Sequence, residues 1–135
     1  MRFVDTNVLL YSISRRPADA RKRRRAVEIL SSHDLALSAQ VLQEFYVQAT
    51  RRTRSDALSH DEATAFVKVW SRFPVQEISL GIVNEALDIC RRHRLSYWDS
   101  AIVAAAQAVG CDQLLTEDLN HGQRFSGIVV VNPFR

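Results

Sequence analysis

Four carboxylates, Asp5, Glu44, Asp99 and Asp118, stand where this chain could use them for chemistry. Asp5 closes the apolar pair Phe3-Val4 and is followed by the small polar residues Thr6 and Asn7. That puts an acid at the carboxyl end of a short strand, the edge where open α/β sheets place their chemistry. Asp118 stands in a similar relation to the apolar run ending at Leu115, just after Thr116, and is preferred for that reason over its neighbour Glu117. At 100° per residue, Glu44 falls beside Val41, Phe45 and Gln48, at the edge of an apolar helical stripe that starts from another strand end. Asp99 shares a helix face with Ile102, Val103 and Ala106 and is expected to point toward the core, where a bare carboxylate is costly. Each acid also has a plainer role. Asp5 suits the cap of a helix beginning near Asn7, Glu44 a partly exposed surface, Asp99 a capping box with Ser96, and Thr116 and Asp118 the cap of a short helix. Clustered on one rim, however, they repel one another unless a cation is shared. Oxygen-only donors suit Mg²⁺ or Mn²⁺. The matching reaction is phosphodiester hydrolysis, with the ion acidifying a water and offsetting charge on the phosphoryl oxygens.

The elements needed to position these acids follow from the apolar pattern. Short apolar runs at residues 2–4, 35–37, 75–78, 113–115 and 128–131 read as strands. Between them lie amphipathic helices. One opens at Pro17 and runs to about residue 32, with Ala26, Val27, Ile29 and Leu30 inward. Ser38 caps the next, and a Ser59/Glu62 capping box starts a helix that Pro74 ends. Ser79 caps a helix to about residue 93, and a last one runs from residue 96 to about 109, stopped by Gly110. Residues 51–58 read as a loop, and about 117–121 as a short turn or helix. Strands alternating with helices imply a three-layer α/β/α sandwich around a short parallel sheet, with a ligand crevice at the strands' carboxyl ends. The 135 residues suffice for a single domain spanning 1–135.

Composition narrows the function classes. With 47% apolar and 24% charged residues the chain is an ordinary globular one. No apolar run approaches the ~20 residues of a membrane span, and Asp5 and Asn7 interrupt any leader-like segment, so a cytoplasmic protein is expected. Cys90 and Cys111 read as buried free thiols. His33, His60, His93 and His121 lack ligand spacing, which argues against zinc. An aspartyl phosphatase wants a second Asp where Asn7 stands, and no Gly-flanked nucleophile elbow supports a Ser or Cys hydrolase. Residues 15–25 carry Arg15, Arg16, Arg21, Lys22, Arg23, Arg24 and Arg25 against Asp19 alone, a net +6 in a chain of net +3. Arg51, Arg52 and Arg54 form a second cluster. Either can draw in a phosphate backbone or can serve as a solvated face. Tyr97 and Trp98 are candidates for base stacking or for the core. The non-enzymatic alternative is an RNA- or protein-binding module that uses the Arg clusters.

The ordered set Val4-Asp5-Thr6-Asn7, Glu44 after Ser38-Ala39-Gln40, Tyr97-Trp98-Asp99-Ser100-Ala101 and Leu115-Thr116-Glu117-Asp118-Leu119 resembles the PIN-domain nucleases. Within these it is most similar to the VapC-type toxins of bacterial toxin–antitoxin pairs. The resemblance spans nearly the whole chain and implies a Mg²⁺-dependent endoribonuclease. It implies Asp5 and Asp99 as principal metal ligands, and Glu44 and Asp118 as the acids that complete the site, partly through water. It also implies Thr6, Asn7 and Thr116 as the residues that orient those acids. A cognate antitoxin, an RNA substrate and a homodimer are the expected partners.

Overall fold

The computed structural model describes residues 1–135. In chain order its elements are β1 (Arg2–Val4), α1 (Thr6–Ser12), one turn of 3-10 helix (Pro17–Asp19), α2 (Ala20–Leu30), β2 (Leu35–Ser38), α3 (Ala39–Ala49) and α4 (His60–Trp70). Then follow β3 (Val75–Gln76), α5 (Leu80–His93), α6 (Tyr97–Ala108), β4 (Gln113–Leu115), β5 (Arg124–Phe125) and β6 (Ile128–Val131). The strands form one sheet in the order β3-β2-β1-β4-β6-β5, parallel except for the antiparallel β5–β6 pair. Phe3 and Val4 point to opposite faces of β1, yet neither is exposed, so both faces of the sheet are covered. Helix α6 lies against β2, β3, β4 and β6, with α5 packed over it. Its run from Ser100 to Ala106 is buried throughout, and small side chains allow that close approach. Helix α1 packs against α2 and α3, and α3 against α4. No helix is long and apolar enough to cross a membrane.

The strand register builds the working rim. Val4 pairs with Leu115, so the next residues on the two chains, Asp5 and Thr116, emerge side by side. The chain runs from β1 to β2 on one side and meets β4 on the other, which makes the β1–β4 boundary the point where strand order reverses. Strand β2 ends at the same rim in Ser38, whose hydroxyl accepts from the Val41 N–H and starts α3.

Several sequence expectations need correction. The helix expected from Pro17 begins with a 3-10 turn and becomes α-helical at Ala20. Val27 is exposed, because the buried stripe of α2 runs through Ala26, Ile29 and Leu30 and leaves the next position off its edge. The third strand stops at Gln76 and Ile78 is exposed, because its only neighbour, β2, turns into the α3 cap at the paired residue Ser38. Of the turn or short helix expected at about 117–121, the structure has the turn alternative, as bends and a turn. Strand β5 was not anticipated; Ser126 and Gly127, both at positive φ, fold it back on β6 in a tight hairpin. Both cysteines are free, with Cys111 buried and Cys90 half-buried. Burial pushes the Cys111 thiol up to about 11.

Candidate functional site

At this rim a cleft of about 300 Å³ is lined by Asp5, Glu44, Asp99 and Asp118 together. Asp5, the N-cap of α1, is buried. Its Oδ1 accepts from the Thr6 N–H at 2.7 Å and its Oδ2 from the Thr116 hydroxyl at 2.8 Å. Thr116 is a junction: its Oγ also accepts from Asn7 Nδ2 and from the Asp118 N–H, each at 3.0 Å. Asn7 Nδ2 reaches Asp118 Oδ2 at 3.2 Å, and the Thr6 hydroxyl donates to Glu44 Oε1 at 2.8 Å. Three acids are thus tied through Thr6, Asn7 and Thr116. Asp99 comes from α6 across the cleft. It is half-buried, so the expectation that it points into the core is corrected; at the first turn of the helix it faces the cleft instead. Ser96 Oγ accepts from the Asp99 N–H at 3.1 Å, but the carboxylate does not accept the Ser96 N–H in return, so the capping box is not completed.

Electrostatics single out Asp5. Burial pushes its carboxyl up to about 7 against the bonds from Thr116 and Thr6, and the charges of Asp118 and Glu44 push the same way. Burial also raises Asp99, opposed by hydrogen bonding to Ser96 and reinforced by Asp118. The donors are all oxygen, and Asn7 Oδ1, in the same lining, is buried without a partner. Charge crowding and an orphaned oxygen both fit a divalent cation. No three side chains are drawn together closely enough to cage a bare ion.

The basic block separates into residues with different roles. Only Arg16 of the block lines the cleft, together with Arg54 of the second cluster. Lys22 Nζ pairs with Glu117 Oε2 at 2.9 Å and donates to the Tyr11 hydroxyl, which itself donates to Glu117. Glu117 is thereby engaged by Lys22 and Tyr11, while Asp118 is held by Asn7. Arg21 donates to the Phe134 carbonyl and Arg25 pairs with Glu28. Arg23 and Arg24 are exposed on α2. Arg15 donates through its backbone N–H to the buried Asp56 at 2.8 Å. Trp98 is 64% exposed on the cleft lining, whereas Tyr97 packs against the core. Tyr11, Gln48 and Asp56 were missed in the sequence. Tyr11 and Gln48 look like ordinary helix positions, and Asp56 sits in a polar stretch that reads as solvent-facing.

A family model described as the PIN domain matches residues 2–124. Among solved structures, a toxin–antitoxin complex from Klebsiella pneumoniae is 23% identical with a TM-score of 0.74, covering 99% of this chain and 98% of that one. FitAB bound to a DNA fragment is 20% identical with a TM-score of 0.73, covering 100% and 96%. VapC20 of Mycobacterium tuberculosis, described as a Sarcin-Ricin loop cleaving toxin, is 19% identical with a TM-score of 0.69, covering 87% and 92%. At these identities the likeness establishes the fold. No curated protein matches the sequence significantly.

Proposed function

The chain belongs to the PIN-domain family, and from that premise we propose that it is a Mg²⁺-dependent endoribonuclease, the toxin of a toxin–antitoxin pair. One observation carries the reading: Asp5, Glu44, Asp99 and Asp118, from four separate segments, line a single cleft in which burial and like charge hold Asp5 near 7. Asp5 and Asp99 are the residues assigned to hold the ion, with Glu44 and Asp118 completing the set through water; Mn²⁺ has the same donor preference. When bound, the ion supplies an acidified water and offsets charge on the phosphoryl oxygens. The chain's own groups orient the rest. Thr6 fixes Glu44, which positions the attacking water or takes its proton. Thr116 and Asn7 hold Asp5 and Asp118 in place. The solved structures of similar fold include toxin–antitoxin complexes, which supports a cognate antitoxin protein as partner, meeting the toxin in the cytoplasm. A homodimer is proposed as well, supported by Leu80 and Leu87, 75% and 55% exposed and two turns apart on α5.

Cleavage of RNA by the wild type and by Asp99→Asn, each with Mg²⁺ and with chelator, tests the activity. The wild type should cut only with Mg²⁺. The variant should lose about a hundredfold or more, the scale on which removal of one transition-state electrostatic contact acts. Equal activity in all conditions rejects a metal nuclease. Binding without cutting by the wild type in Mg²⁺ favours the passive module.

A further inference from the structure

The cleft holds two cations that metal binding does not use. Arg54 lies in the connection between α3 and α4, and its side chain, only 11% exposed, shares the lining with the four acids. It rests on Asp56, with Nε 2.8 Å from Oδ1, but the contact is not aligned as a hydrogen bond, and Nε and Nη2 are both buried without an acceptor. Asp56 is buried in turn and accepts the Arg15 N–H through Oδ2. Burial works against its charge, yet that bond and the Arg54 guanidinium hold its carboxyl below the ordinary value. Asp56 therefore stitches the α3–α4 connection to the segment after α1 and fixes Arg54 at the cleft. Arg16, from the segment stitched, lines the same cleft; it is half-exposed and touches Asp19 at 3.1 Å.

Asp56 takes one edge of the Arg54 guanidinium, and no other side chain of the cleft pairs with it. The part of Arg54 that lines the cleft can meet an anion there, and the fork geometry of Arg matches phosphate. The acids alone repel a phosphodiester. Two guanidinium groups in the same lining offset that repulsion. The other side chains of the 15–25 block do not line the cleft, and three of them have partners elsewhere, Lys22 with Glu117 and Tyr11, Arg21 with Phe134 and Arg25 with Glu28; Arg16 also has a partner, Asp19, but does line the cleft.

We infer that Arg54, positioned by Asp56, and Arg16 form a phosphate subsite that takes a backbone phosphate of single-stranded RNA beside the bond to be cut. The inference rests on the ribonuclease reading and names the residues that seat its substrate.

The test is anisotropy of a fluorescein-labelled, mixed-sequence RNA oligonucleotide across a salt series, in the Asp99→Asn background with Mg²⁺. Arg54→Gln should weaken binding and flatten the slope of log affinity against log salt by about 0.7, the value of one single-strand phosphate contact. Arg16→Gln should flatten it likewise, Arg54→Lys should keep the slope, and Arg24→Gln, on the exposed face of α2, should leave it unchanged. A folded Arg54→Gln with the parental slope overturns the subsite, as does equal flattening in Arg24→Gln, which would mean diffuse attraction. If Arg54→Gln fails to fold, Arg16→Gln decides: flattening supports the subsite and an unchanged slope overturns it. Loss of the subsite leaves the nuclease reading intact, because that reading is judged by wild-type cleavage.

Discussion

Asp5 is a carboxylate in the wrong solvent. Its pKa in the folded chain, about 7, lies well above the ordinary 3.8, so the native state holds this proton more tightly than the unfolded chain does. The stabilisation that the proton provides is therefore complete below about pH 4 and is lost as pH rises to about 7. A shift of that size corresponds to a few kcal/mol at most. A divalent cation bound to the native carboxylate replaces the proton and restores stability where the proton is gone. In chelator, the melting temperature should fall across this window more steeply for the wild type than for Asp5→Asn. Mg²⁺ should raise it at about pH 8 and hardly at all near pH 5. Parallel pH profiles for the two proteins would show that Asp5 titrates normally.

At the scale of elements, the junction of β1 and β4 decides the site. The register that pairs Val4 with Leu115 delivers Thr116 beside Asp5, and its hydroxyl satisfies three polar groups from two strand ends. Thr116→Val keeps the shape and removes the hydroxyl. It should destabilise the fold by about 1–3 kcal/mol, the cost of buried groups left unpaired, whereas Thr116→Ser should lie near the wild type in denaturant unfolding. Equal stability of the two variants would remove Thr116 from this role. The strand-end acids and the capped helices were legible in sequence because each is local: an apolar run that stops, a Ser before a helix. Their meeting in one cleft followed from strand order. The network through Thr6 and Asn7 was implied only by the family resemblance, because hydrogen bonds between residues separated by 38 or 111 positions leave no periodic trace. Asp99 was misplaced for a related reason. Helical phase puts it on the apolar face, but at the first turn that face already opens on the cleft. Strand β5 was missed because two residues are too short to show alternation, although Ser126-Gly127 is a recognisable hairpin turn.

For the whole molecule, charge is unevenly deployed. The chain carries net +3, yet its deepest charged residues are the cleft acid Asp5 and the clamp acid Asp56, and most of the α2 arginines face solvent. Leu80 and Leu87 leave α5 with apolar surface that water covers poorly. Light scattering should find a dimer for the wild type and monomer for Leu80→Glu/Leu87→Glu, with unchanged helical content. A wild-type monomer at every concentration would remove the dimer from the proposal.

The acids that share the cleft are drawn from residue 5 to residue 118, and β1, which carries the first, lies between β2 and β4. No amino-terminal portion of the chain can assemble the rim. During synthesis the cleft comes into existence only after β4 has left the ribosome and docked beside β1, which is made long before it. Under the proposed function, the chain has no working cleft until then, and whatever restrains it has that interval to be in place.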